Sequence, residues 1–242
     1  ASFAQEGTGG MANADGRALL PVVSSMKPQS TLPFADGFGQ YMSPHWVEYP
    51  FGGTDWRQDE DLGIYWYHYE SDETPRDEWW ALSMYQGPGS DLWTDYEIIA
   101  LLKSSKAGSI TGGLVGIWFR GTYEPDGTVG GYYLHLKRRT NQVDLWRLNP
   151  GARNLGDAQL VREVTYGPGL GTGWFHVRTR VQGANIQVWV KDSSEPPSAY
   201  RLVLNWTDPN ATYDRGTVGL SAYRSRAVYD NIQVTELPST SQ

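Results

Sequence analysis

Trp118, Arg120, Tyr133, His135, Asp144 and Trp146 fall within one stretch, Gly113 to Leu148. They alternate there with Val115, Ile117, Phe119, Leu134, Leu136, Val143 and Leu145. Aromatic rings stack on sugar rings, and Arg, His and Asp satisfy hydroxyl groups. A few placed polar groups among aromatics is the composition of a small-molecule surface. His176, Arg178 and Trp189 repeat that composition at 174 to 191, beside Arg180, Gln187 and Lys191. The expectation is that the two stretches lie side by side and make one ligand-binding face. The same pattern has a plainer reading, because a strand tryptophan is often core.

Other chemistries have thinner support. A glycosidase needs two carboxylates about 5 to 10 Å apart. Asp95 and Glu97 stand two apart on one strand face, while Asp59, Glu60, Asp61, Asp72 and Glu73 sit in loops. The 4 His residues show no metal-ligand spacing, which argues against zinc. With 0 Cys, a thiolate nucleophile, a Cys-ligated metal and a disulfide framework are all excluded. Asn205-Trp-Thr and Asn210-Ala-Thr match the N-glycosylation pattern.

The elements that must position these side chains are strands. Period-two alternation sends successive side chains to opposite faces. It marks 64–69, 79–85, 113–120, 130–137, 143–148, 160–166, 174–181, 186–191, 200–206, 217–223 and 228–237. The stretch 95–103 also permits helical spacing, but its flanking turns favour a strand. QGAN at 182–185 predicts a hairpin. Residues 41 to 62 read as irregular. About a dozen strands, many turns and no convincing helix predict an all-β, two-sheet antiparallel sandwich over residues 34–237. Residues 238–242 are a polar end. Residues 1–33 are small, polar and rich in Gly and Pro, and read as an extended N-terminal arm or linker. An arm of that kind is also a means of self-assembly, since Ala18 to Val23 would then bury on a neighbour.

Composition narrows the partners. Lys and Arg total 20 against 27 Asp and Glu, a net charge of -7. That balance argues against a general nucleic-acid binder and against attraction to anionic lipid. No apolar run approaches the roughly 18 residues of a membrane span. The chain opens on Ala1, and a processed mature protein is the expectation.

The order of motifs resembles the concanavalin A-like lectin/glucanase superfamily, and within it the laminin-G-like domains and bacterial carbohydrate-binding modules. The residues that carry the resemblance run from F-A-D-G-F at 34–38 through W-T-D-Y-E-I-I-A at 93–100 and G-L-V-G-I-W-F-R at 113–120. They continue through G-G-Y-Y-L-H-L at 130–136, V-D-L-W-R-L at 143–148 and the hairpin at 174–190. G-T-V-G-L-S-A-Y at 216–223 and V-Y-D-N-I-Q-V at 228–234 close the series. The resemblance implies a jelly-roll sandwich whose members bind sugars, proteins or calcium, with a minority acting as glycosidases or lyases. The glucanase strand motif E-x-D-x-x-E is absent, as are the lyase strands R-x-E-x-R and Q-I-H. A lyase would instead have to draw on His135, His176, Tyr133, Arg178 and Gln187. Calcium in such folds takes loop oxygens near the chain ends, which singles out Asp36, Asp230 and Asn231. A local bend is the other reading of Asp230-Asn231. The reading that results is a non-catalytic carbohydrate-binding or adhesion module, secreted or surface-displayed, with a glycan or polysaccharide as partner. The alternatives are a surface, filament or virion subunit assembling through the arm, and a polysaccharide hydrolase or lyase.

Overall fold

A computed structural model describes residues 31–49, 56–59, 62, 64–67, 80–107, 114–124, 126–153, 155–223 and 225–238. Among them, two antiparallel sheets face each other. The first joins β1 (Phe34–Asp36), β3 (Trp56–Asp59), β4 (Ile64–Tyr67), β6 (Tyr96–Ala107), β11 (Phe175–Gln182), β12 (Asn185–Asp192), β13 (Arg201–Thr207) and β15 (Ser225–Glu236). Its order is β13-β12-β11-β6-β15-β4-β3, with β1 also paired to β15. The second joins β2 (Trp46–Tyr49), β5 (Trp80–Tyr85), β7 (Leu114–Tyr123), β8 (Val129–Lys137), β9 (Gln142–Leu148), β10 (Ala158–Thr165) and β14 (Thr217–Tyr223). Its order is β10-β9-β8-β7-β14-β5-β2. The all-β sandwich expected from the alternation is the fold.

Most strands fall where the sequence places them. Residues 95–103 are a strand, with Tyr96, Ile98, Ala100 and Leu102 buried at period two. Gln182 pairs with Asn185 across a two-residue turn, and Gly183 takes the left-handed φ of 54° that such a turn requires. Residues 41–62 are a correction. They hold β2 and β3, each only four residues long and without clean alternation of burial. The arm expected at 1–33, and any self-association through it, lies outside the described residues except for 31–33.

The core lies between the sheets. Val115, Ile117, Phe119, Val143 and Leu145 are buried in one cluster with Ile98, Leu102, Val177 and Val188 from the opposing sheet. Each such side chain contributes about 1.5–3 kcal/mol when fully buried. Three tyrosines cross this core with their hydroxyls. A buried phenol needs a hydrogen-bond partner. Tyr65 meets Ser83 at 3.3 Å. Tyr96 donates to the Gly216 carbonyl at 3.2 Å and accepts from the Arg120 amide at 2.7 Å. Tyr229 sits on β15, yet its hydroxyl lies 3.1 Å from the Gly116 carbonyl and also reaches the Ser221 carbonyl, both on the facing sheet. Burial raises the pKa of all three phenols. Tyr229→Phe leaves those acceptors unsatisfied, and a loss of about 1–3 kcal/mol is expected. Urea unfolding should show a lower midpoint at unchanged slope; an unchanged midpoint would mean these bonds add nothing.

One end of the sandwich is closed by a turn after β13. Asp208 is buried there and accepts from Tyr132 Oη at 2.6 Å, Arg147 at 3.0 Å, and the Asn210 and Thr212 amides at 3.0 and 3.1 Å. Burial alone would raise this carboxyl. The hydrogen bonds override it and hold the group well below the usual carboxylate range. The two glycosylation-pattern asparagines, Asn205 and Asn210, are both exposed at this end.

Candidate functional site

Of the side chains singled out on β7, β8 and β9, Trp118, Tyr133, His135, Asp144 and Trp146 share one face, the outer side of the seven-stranded sheet. Register aligns them in two rows. Ser221, Gly116, His135, Asp144 and Glu163 stand opposite one another across β14, β7, β8, β9 and β10. Gly219, Trp118, Tyr133, Trp146 and Leu160 form the adjacent row. Directly opposed residues of antiparallel strands project to the same side. The rings form a continuous platform: Trp118 and Tyr133 lie 5.3 Å apart at 30°, Tyr133 and Trp146 5.9 Å apart at 5°.

That platform is buried. Trp118, His135 and Asp144 are 0% exposed and Tyr133 1%, whereas Trp146 is half-buried. His135 Nε2 lies 3.2 Å from Ser221 Oγ. Burial, with Lys137 nearby, pushes the imidazole down to about 3. The ring is therefore neutral at physiological pH. Burial also raises the Asp144 carboxyl, while Lys137, 2.6 Å away, pulls it back. Lys137 reaches Glu163 as well, at 3.1 Å.

The hairpin at 174–191 is a correction. It does not lie beside this platform. β11 pairs with β6 and β12, so His176, Arg178 and Trp189 belong to the other sheet, on its own outer face. The whole core separates the two groups. His135 and Tyr133 therefore do not converge with His176, Arg178 and Gln187, and the lyase constellation does not assemble.

Arg120 is a second correction. A bulge between Phe119 and Thr122 breaks the alternation, and Arg120 has φ 48°. Its guanidinium turns off the Trp118 face. It donates to the carbonyls of Tyr213 at 2.8 Å and Thr94 at 3.1 Å, and meets Asp95 Oδ1 at 3.4 Å. This settles the paired acids too. Asp95 is held by Arg120 and the Gly183 amide. Glu97 is held by Arg178 and Arg180.

The cation site fails on geometry. β1 and β15 are neighbours as expected, but Asp36 pairs with Ile232, on the core side, and Asp230 with Leu101, on the outer side. Asp36 also spends its oxygens on N–H donors: Phe38 and Ser43 amides, each at 2.8 Å, and Trp46 Nε1 at 2.9 Å. A carboxylate satisfied by three donors has little left for calcium, which takes 6–8 oxygens. Asn231, at φ 48°, makes the local bend that is the other reading of this pair. Among the described residues no group of three His, Cys, Asp or Glu could hold a metal ion.

A cleft of about 340 Å³ opens instead at one end of the seven-stranded sheet, where β5, β14 and β7 run into their loops. Met84 and Tyr85 line its base, and Gln86, Asp91, Tyr123 and Glu124 stand exposed around it. Tyr123 packs at 4.2 Å against Tyr49, keeping 38% of its surface open. Gln86 Nε2 donates to the Tyr49 hydroxyl. Burial, with Tyr123 adding to it, pushes the Tyr49 phenol up to about 12, so it stays a neutral hydroxyl.

No family model matches the sequence, and no curated protein does. Solved structures share the architecture. The VIP36 exoplasmic/lumenal domain in its Ca2+/Man3GlcNAc-bound form is 9% identical, with 86% of this chain and 90% of that one covered and a TM-score of 0.56. A protein of unknown function with a galectin-like fold from Bacillus subtilis is 11% identical, over 87% and 97%, at 0.58. Winged bean acidic lectin complexed with methyl-α-D-galactose is 9% identical, over 84% and 96%, at 0.54. The fold is that of the lectin-like sandwiches. At such identities the likeness establishes fold alone.

Within that lectin-like frame, the cleft is what sequence reading missed. Its polar residues sit in QGPGSD and in the turn after Tyr123, stretches that register only as turns. The available signal was weak: a tyrosine and a glutamate at a strand end, where loop side chains carry function more often than strand interiors do.

Proposed function

We propose that this chain is a non-catalytic carbohydrate-binding module of the lectin-like sandwich type, taking a neutral saccharide in the cleft beside Tyr123. The composition of the cleft carries the reading. Tyr123 offers an open ring face, Gln86 an amide, and Asp91 and Glu124 carboxylates that accept from sugar hydroxyls, with no basic residue among the described residues of the lining. An acid-rimmed cleft disfavours anionic ligands by charge. The sugars bound in those VIP36 and winged bean lectin structures, Man3GlcNAc and methyl-α-D-galactose, are neutral and support the reading. The pairing of Asp95 and Glu97 with arginines supports a binding rather than a hydrolytic role. A laminin-G-like relationship and an extracellular or surface setting belong to the same proposal. No helix among the described residues is long and apolar enough to cross a membrane.

A neutral-glycan array followed by calorimetry tests the proposal. Tyr123→Ala and Glu124→Gln should each weaken the best ligand by about tenfold or more, the scale of one lost stacking or charged hydrogen-bond contact. Both residues are exposed, so melting temperatures should stay close to wild type. Absence of binding to any neutral glycan, or full binding by both variants, would overturn it.

A further inference from the structure

We infer that the outer face of the eight-stranded sheet is a second binding surface, and that its ligand is an anionic polysaccharide of the polyuronate class. On β6, β11 and β12 this face presents Lys103, Arg178, Arg180 and Lys191 against one acid, Glu97. The neighbouring β15 adds Asp230. A cationic patch of this kind runs against the chain's net charge of -7. Lys191 is committed to the fold, since its ammonium donates to the Glu195 carbonyl at 2.8 Å. Arg178 and Arg180 share Glu97 but stay about one-third exposed, and Lys103 is half-buried.

Each of those three stands against an aromatic ring. Lys103 Nζ lies 5.6 Å from the Trp174 ring, and the guanidinium carbons of Arg178 and Arg180 lie 5.0 and 5.7 Å from Trp189. Glu97 fixes the two arginines further. Arg178 donates to its Oε2 at 2.8 Å, and Arg180 donates twice to the same oxygen, at 3.1 and 2.9 Å. Among the described residues these are the hydrogen bonds the two guanidinia make. Arg178 Nε is itself buried, but the terminal N–H groups not pointed at Glu97 are left for a ligand, and the side chains stay 31% and 34% exposed.

The arrangement matches a carboxylated sugar chain. A guanidinium fork pairs a planar carboxylate bidentately and keeps its charge at any working pH. Two forks already held against Trp189 lose little freedom on binding. The half-buried rings of Trp174 and Trp189 supply the apolar surface a sugar ring packs against. A nucleic acid brings a denser line of charge against a chain that is acidic overall, which disfavours it.

The test is calorimetry of the full chain with oligogalacturonate, in about 20 mM and about 200 mM salt, beside neutral oligosaccharides, a sulfated glycan and an RNA homopolymer. Oligogalacturonate should bind at low salt and weaken severalfold at the higher. Arg178→Gln with Arg180→Gln should reduce affinity by about tenfold or more. Lys103→Gln, which touches no ion pair among the described residues, should reduce it severalfold. Arg178→Lys with Arg180→Lys leaves Glu97 paired, so it should melt like wild type and still lose most of the affinity. Tyr123→Ala should not change it. No binding at low salt, full binding by the arginine variants, or loss in Tyr123→Ala would overturn the inference. Preference for the RNA or for the sulfated glycan would assign the face to that ligand instead. Neutral-sugar binding is read at the cleft by different variants, so either site can fail alone.

Discussion

Gly116→Ala is expected to leave the domain unfolded, or at least about 4 kcal/mol less stable, the range reached only by severe steric or burial defects. Gly116 stands on the outer side of β7, in the row between Ser221 and His135. A Cβ there would lie 1.9 Å from the Leu134 carbonyl oxygen and 2.4 Å from His135 Cδ2. The first obstacle is backbone in a paired strand, which cannot rotate away. The second is the ring that leans across β7 to reach Ser221 on the next strand but one. The backbone of Gly116 also meets the Tyr229 hydroxyl from the core side, so neither face of the strand can yield. Relief would require separating β7 from β8 at the centre of the sheet. Gly167→Ala is the matched control, because nothing lies within 4 Å of its added carbon. It should change stability by under about 0.5 kcal/mol. Soluble yield and tryptophan-monitored urea unfolding separate the two. A Gly116→Ala protein with a wild-type midpoint would mean that β7 and β8 do not pair in this register.

The same strand shows what local pattern can and cannot say. Period-two alternation placed Val115, Ile117 and Phe119 in the core and Trp118 opposite them, because it reports only which side of a strand a residue faces. It does not report which strand comes next in the sheet. β11 pairs with β6, and β14 lies between β5 and β7. These are long-range choices set by burial of whole faces, so the hairpin at 174–191 could resemble the central platform in composition and still belong to the opposite surface. Nor does alternation anticipate a bulge. Arg120 continues the pattern on paper, and its positive φ takes the guanidinium into the end of the sandwich instead.

The candidate site was less legible than the fold for related reasons. Asp36 looked like a cation ligand at a chain end. The Asp-Gly step after it was the better signal, since Asp side chains commonly accept from the amide two residues on, as Asp36 does from Phe38. Gln86, Asp91, Tyr123 and Glu124 belong to two turns that meet only because β14 sits between β5 and β7. No spacing along the chain encodes that meeting. Full burial of Trp118 and Tyr133 was hidden for the same reason: a strand's outer face reads identically whether solvent or protein covers it.

The buried histidine makes the fold acid-sensitive in a window of its own. His135 is held neutral, with its pKa pushed down to about 3 from an ordinary 6.5 by burial and by Lys137. The unfolded chain therefore binds a proton that the folded chain refuses. Stability from this group is complete above the unfolded value and is lost as the pH falls from 6.5 towards 3. At pH about 4.5 the loss should be about 3 kcal/mol. The groups around it bear on the size. Ser221 accepts or donates at Nε2 and Tyr133 packs at 4.9 Å. Lys137 adds repulsion for a second positive charge. Asp144 works the other way, because burial raises its carboxyl and its share of stability is lost as pH rises. Asp208, held low, costs stability as the pH falls into and below the ordinary carboxylate range. His176 is also pushed down, by burial and Lys191, but it is only half-buried. Urea midpoints of wild type, His135→Gln and His176→Gln between pH 7 and about 4.5 resolve these contributions. Glutamine keeps an amide for Ser221 and cannot titrate. His135→Gln should start less stable and lose markedly less on acidification, while His176→Gln should keep most of the wild-type slope. Parallel curves for wild type and His135→Gln would show that the imidazole takes up its proton without opening the sheet.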